Sequence, residues 1–154
     1  NVTLQSTLAV VIGPSSLTFT TISPGASNTT SNNDPVTVNN TGNQNVTTSN
    51  VRVNAITLIG ETNANFNISA ANFAVAVVTG AGIPECGNQT IMANGTTTNI
   101  VDSILPRGNN SAGTGAGNGV EQLYTCLKTA PAAAVLPSQT YSSTGGAAWT
   151  VSVV

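Results

Sequence analysis

Histidine is absent from this chain, and its basic residues number three: Arg52, Arg107 and Lys128. Without an imidazole the usual serine and cysteine nucleophiles have no general base, and the commonest nitrogen ligand for metals is missing. Three cations cannot neutralise a run of phosphates, so nucleic acid and anionic membrane surfaces are not expected partners. The five carboxylates, Asp34, Glu61, Glu85, Asp102 and Glu121, are scattered, and nothing in their spacing favours a glycosidase pair. No segment approaches the roughly 18–20 consecutive apolar residues of a membrane-spanning helix. The Gly-rich stretch 108–119 (G-N-N-S-A-G-T-G-A-G-N-G) lacks the Lys-Ser/Thr of a phosphate cradle and reads as an exposed loop. Catalysis, a metal and a cofactor are not expected.

Charged residues make up 5% of the chain, against roughly 25% in ordinary soluble proteins, so Thr, Asn, Ser and Gly must supply the polar surface. This is not the composition of a disordered chain, because Val, Ile, Leu and Ala are plentiful and evenly spread. At 154 residues one domain with one core is expected. Apolar and polar residues alternate in short stretches near 17–22, 36–39, 46–59, 64–69, 73–79, 89–93, 98–105, 120–128 and 147–154, the two-residue period of strands. No window carries a sustained helical stripe; only Ala71–Val78 and Pro131–Leu136 allow a helical turn. Residues 26–35 (A-S-N-T-T-S-N-N-D-P) read as a polar loop. The expected fold is an all-β antiparallel sandwich, with Trp149, Val151 and Val153 on the buried face of a last strand.

The cleanest alternation opens the chain. Residues 1–12, N-V-T-L-Q-S-T-L-A-V-V-I, place Val2, Leu4, Ser6, Leu8, Val10 and Ile12 on one face, with Ser6 the single break in an apolar row. Gly13-Pro14 follows as a joint, Pro14 turning Gly13 away from helix. Such a strand either pairs within its own sheet or adds to the sheet of a neighbour. Twelve extended residues span about 40 Å, the length of a small domain. Burial of the five apolar side chains would yield about 8–15 kcal/mol gross. On this reading residues 1–13 are a donor strand and hinge, and 14–154 the sandwich. A head-to-tail contact of this kind need not close, so it generates a filament.

Cys86 and Cys126 are expected to pair, closing a loop of about 40 residues at a gain of roughly 4 kcal/mol; two buried thiols are the alternative. Pairing implies an exported protein, and the start at Asn1 implies removal of a leader. Asn-X-Ser/Thr acceptors stand at Asn1, Asn28, Asn39, Asn45, Asn67, Asn88, Asn94 and Asn109. Asn28 and Asn109 lie in the longest polar loops, Asn67 sits close to the expected core, and Asn1 would be lost if the first strand is buried. Turn formation is the other use of these asparagines.

The opening strand, L-T-F-T-T-I-S-P-G followed by P-V-T-V-N-N-T-G-N, the sequon-rich Thr/Asn surface and the last strand A-W-T-V-S-V together resemble an archaeal extracellular thread pilin of the kind found in Sulfolobus. The resemblance is one of pattern over the whole chain. It implies sandwich subunits joined head to tail by donor-strand complementation, heavily N-glycosylated, and akin in architecture to bacterial chaperone–usher pili. Val2, Leu4, Leu8, Val10 and Ile12 would then fill a neighbour's groove. The function so implied is that of a cell-surface filament subunit serving adhesion or biofilm formation. A monomeric adhesion or glycan-binding module is the second reading, with Trp149, Tyr124 and Tyr141 available to stack on sugars.

Overall fold

A computed structural model of the chain describes residues 2–3, 5–78, 86, 89–107, 119–143 and 147–154. Within these, twelve strands form in chain order: β1 (Val10–Gly13), β2 (Ser27–Thr30), β3 (Val36–Asn40), β4 (Val51–Asn54), β5 (Leu58–Gly60), β6 (Asn67–Ile68), β7 (Phe73–Val77), β8 (Thr90–Ile91), β9 (Thr97–Asn99), β10 (Val120–Thr129), β11 (Tyr141–Ser142) and β12 (Thr150–Val153). Every strand-to-strand ladder is antiparallel. The chain is an all-β antiparallel sandwich.

One layer is built around the ten-residue β10. On one side β10 pairs with β7, which pairs with the edge strand β8. On the other side β3 takes the first part of β10 and β2 the last part, and β1 pairs with the outer side of β3. The other strands form two three-stranded sheets, β11-β5-β6 and β12-β4-β9, centred on β5 and β4. A tight turn closed by the Ala93–Thr96 bridge joins β8 of the six-stranded sheet to β9.

The alternation read from the sequence explains the core. Val36 and Val38 of β3, Val51 and Val53 of β4, Phe73, Val75 and Val77 of β7, and Leu123 and Leu127 of β10 all point inward and form one cluster. Phe73 is its hub, with Trp149 edge-on at 5.0 Å and Phe19 tilted at 5.6 Å between ring centroids. The one helical turn among the described residues is Ala70–Asn72, which overlaps only the start of the stretch 71–78 expected to allow one, the rest of which is β7; Ser69 Oγ caps it by accepting the Ala71 N–H.

Three local expectations differ. Residues 26–35 are not all loop: Ser27–Thr30 form β2, because β10 runs on past the end of β3 and its exposed backbone groups need partners. Leu17–Ile22 is extended, and its inward side chains Leu17, Phe19 and Ile22 pack on the core, yet it joins no ladder. Side-chain amides stand in for the missing strand: the Thr18 N–H donates to Asn33 Oδ1 (2.9 Å) and the Thr20 N–H to Asn32 Oδ1 (3.1 Å). The long stretch 46–59 divides into β4 and β5, with Val46 held by a single bridge to Leu105.

Candidate functional site: the N-terminal arm and the edge it occupies

The segment expected to protrude lies, from Gln5 onward, against its own chain. The register of β1 on β3 sets Val10 opposite Asn40, Val11 opposite Asn39, Ile12 opposite Val38 and Gly13 opposite Thr37. The physical reason is simple: within a single chain the outer edge of β3 presents unpaired backbone groups, and the arm is the strand at hand. Val10 and Ile12 reach the core and are half-buried. Ser6 is exposed, as is Leu8 at 37%, and Val2 is 90% exposed. Leu4 lies outside the described residues, as do Asn1, Asn88 and Asn109. Among the described members of the apolar row, Val10 and Ile12 are the ones that pack on the core.

A turn at the end of β3 grips the arm ahead of β1. Asn43 Nδ2 donates to the Gln5 carbonyl (2.8 Å), Asn43 Oδ1 accepts the Thr7 N–H (2.7 Å), and the Asn43 N–H donates to the Thr7 carbonyl (2.9 Å). The Thr41 and Gly42 N–H groups both donate to the Ala9 carbonyl, at 2.9 and 3.2 Å. Gly42 is required by closeness: a Cβ there would stand 2.8 Å from Ala9 N and nearer still to the Thr7 carbonyl. The turn is held in turn by Asn40, which is buried and fully partnered. Its Nδ2 donates to the Gln44 and Pro106 carbonyls (2.7 and 3.1 Å), and its Oδ1 accepts the Gly42 N–H (3.0 Å).

Behind the arm, Pro14, Ser15 and Ser16 are exposed, and nothing lies within 4 Å of a Cβ built on Gly13. Firm attachment resumes at Ser16, whose carbonyl accepts Asn33 Nδ2 (2.5 Å), and continues through Leu17, Phe19 and Ile22. The expected hinge at Gly13-Pro14 thus falls between a lightly held arm and an anchored body.

Apolar side chains that pack on the core without being fully buried include Val10 and Ile12 of the arm, Leu17, Phe19 and Ile22 behind the hinge, and Leu58, Tyr141, Trp149, Val151 and Val153.

The opposite half is closed. All five residues of β7 are buried, since Phe73, Val75 and Val77 face the core while Ala74 and Ala76 face outward beneath a cover. Cys86 supplies part of that cover. It is disulfide-bonded to Cys126, which stands opposite Ala74 in the β10–β7 register, and the Lys128 ammonium donates to the Cys86 carbonyl.

Two carboxyls are held in low-dielectric surroundings. Burial raises the Glu121 carboxyl above its ordinary range, opposed by the N–H groups of Ile104 (2.6 Å) and Gln122 (3.0 Å). Burial likewise raises Asp34, whose Oδ2 accepts the Thr125 N–H (3.0 Å) while Oδ1 has no partner among the described residues. Burial, and then the charge of Asp34, raise Tyr124. No group of three metal-ligating side chains occurs among the described residues, and no helix there is long and apolar enough to cross a membrane.

Of the glycan acceptors, Asn39, Asn45 and Asn94 are exposed. Asn45 Oδ1 accepts the Arg107 N–H and Asn94 Oδ1 the Thr57 N–H, both at 2.8 Å. Asn28 is exposed on β2 rather than in a loop, at a left-handed φ of 53° that asparagine tolerates. Asn67 is half-buried on β6. Trp149, Tyr124 and Tyr141 are half-buried too; Trp149 Nε1 donates to the Ile56 carbonyl (2.8 Å), and Tyr141 Oη accepts the Leu136 N–H (2.6 Å).

Sequence reasoning missed Asn43, Gly42, Asn32 and Asn33 as the residues that hold the arm and the segment behind it. Their only signal was density of Asn in 32–33 and 39–45, which reads first as turn formation. No family model, curated protein or solved structure matches the chain.

Proposed function

We propose that this chain is the structural subunit of an extracellular, N-glycosylated filament that polymerises head to tail through residues 1–12. It serves adhesion or biofilm formation, in the manner of the archaeal thread pilins that its sequence pattern resembles. The observation that carries the reading is the mismatch between the arm's apolar row and its use within the chain. Val10 and Ile12 are half-buried while Val2 and Leu8 are exposed, in an arm that an exposed hinge joins to the body. An uncharged strand with apolar side chains still in water gains by finding a second surface. The contact is heterologous, so each added copy offers the same free arm to the next.

The acceptors Asn28, Asn39, Asn45 and Asn94 would carry the sugar coat, with Asn67 less accessible. At Asn45 and Asn94 the Oδ1 is engaged, and attachment at Nδ2 leaves that bond in place. The disulfide supports an exported location.

The test compares the full chain with a variant lacking residues 1–12, by size-exclusion chromatography and negative-stain imaging. Filaments from the full chain, and folded monomers only from the truncated one, support the reading. A full chain that stays monomeric at every concentration and pH tried ends it.

A further inference from the structure

We propose that the outer edge of β3, with the Thr41–Asn43 turn beside it, is the acceptor for the arm of a second copy. The isolated chain is then the closed form, its own arm filling the place that a neighbour's arm takes in the filament. This inference rests on the filament reading above and concerns how the arm is held and exchanged.

The fold itself identifies the occupant. Residues 5–13 already sit on this edge, bonded from the Asn43 amide on Gln5 and Thr7 to the ladder ending at Gly13 opposite Thr37. A second copy brings the same sequence, so every donor and acceptor that the cis arm satisfies is satisfied equally in trans. No charge opposes the exchange, since neither residues 1–16 nor residues 36–45 contain an ionisable side chain.

Release is local. The core side chains that leave with the arm are Val10 and Ile12, both half-buried, whereas Leu17, Phe19 and Ile22 stay behind the hinge with their own partners. Because cis and trans bonds match, the exchange is nearly neutral in the slot. The slot itself gives no net gain, so a gain requires that the neighbour's body cover what the closed form leaves in water: Val2, Leu8 and Val11, the last 60% exposed. Opening of the arm therefore precedes addition, and assembly is limited by a step within one molecule.

A disulfide tests this directly. Val11 and Asn39 are opposite one another and both exposed, and paired residues of an antiparallel ladder lie about 4.5–5.5 Å apart at Cα, within disulfide reach. The double variant Val11→Cys/Asn39→Cys, oxidised as a monomer, should not polymerise, and mild reduction should restore assembly. The same variant assembled while reduced and then oxidised should give a ladder of covalent multimers on a non-reducing gel, with the cross-link mapping position 11 of one copy to position 39 of the next. Asn39→Ser alone, which removes the same glycan acceptor, should assemble like the unmodified chain. Wild-type protein carried through the same redox steps controls for the buried Cys86–Cys126 bond.

Polymerisation by the oxidised monomer, or filaments whose oxidation yields only the cross-link within a chain, overturns the exchange while leaving the filament reading intact. Failure of the wild-type protein to form filaments overturns both.

Discussion

The β7–β10 pair and the arm are made of the same kinds of residue, yet the sandwich treats them in opposite ways. Phe73–Val77 pairs over five residues with β10, is buried on both faces, and is fastened by a disulfide at Cys126. Val10–Gly13 pairs over four residues with β3, has solvent on its outer side, and is steadied by a turn that grips the chain ahead of it through the Asn43 side chain and the Thr41, Gly42 and Asn43 N–H groups. What separates them is coverage. A strand closed on every side belongs to the fold, and a strand closed on one side is available to something else.

The comparison breaks most completely at Phe73. Its ring is 1% exposed and bridges Phe19 behind the hinge to Trp149 ahead of β12. Phe73→Ala should cost about 3–5 kcal/mol by leaving a cavity among rings that cannot close over it. Denaturant unfolding followed by Trp149 fluorescence measures this, and a loss under about 1 kcal/mol would mean that the hub is not where the packing places it. Next in size is the disulfide. Replacing Cys86 and Cys126 by Ser should remove about 2–5 kcal/mol, since the cross-link closes a loop of 40 residues in sequence.

At the arm the same ledger reads differently. Gly42→Ala forces a methyl into the Thr7 carbonyl and Ala9 N, both backbone atoms with no freedom to yield. Hydrogen exchange should accelerate at Thr7 and Val10–Gly13, while the amides of β7 and β10 keep their protection and global stability falls by only about 1 kcal/mol. Equal loss of protection in both regions would erase the distinction between arm and body.

Acid distinguishes the halves in another way. Glu121, 4% exposed, and Asp34 are both shifted upward by burial, so each binds its proton more tightly folded than unfolded. A carboxyl raised in this way weakens the fold wherever it is ionised. The penalty is relieved as pH falls through the folded-state value and is gone below the unfolded one. The melting temperature should therefore rise from neutral pH toward about pH 4, the unfolded carboxylate range, and Glu121→Gln should flatten that rise. A chain without histidine has no imidazole to take up charge in this window.

Legibility in the sequence follows the same division. Period-two alternation revealed β3 and β12, which bury one face, while β7, buried on both, showed as a strand-sized apolar run. It missed β2, where S-N-T-T has no apolar row, and it overread Leu17–Ile22, whose inward side chains are those of a strand but whose backbone is partnered by Asn32 and Asn33. Amide side chains that replace a ladder leave no mark in hydropathy. The pairing of Cys86 with Cys126 followed from an even count alone. The arm's apolar face was readable in Val2, Leu4, Leu8, Val10 and Ile12, but the edge it meets was not. That edge is specified by a turn 32 to 38 residues away, through hydrogen bonds to backbone that any sequence could offer.

The smallest effect expected is the most selective. Asn43→Ala removes the Nδ2 and Oδ1 contacts to Gln5 and Thr7 but keeps the backbone bond from the Asn43 N–H to the Thr7 carbonyl. Two exposed hydrogen bonds contribute about 0.5–1.5 kcal/mol each at most, and water replaces them once the arm lifts, so global unfolding should scarcely change. Arm opening should nevertheless become several-fold more frequent, because about 1 kcal/mol is a factor of 5 in a local equilibrium. If the arm is exchanged between copies, filament growth from monomer should start faster while the finished filament, whose slot has lost the same two bonds, dissociates more readily. Faster growth with an unchanged filament would place the clamp only in the closed monomer, and an unchanged growth rate would mean that opening the arm does not limit assembly.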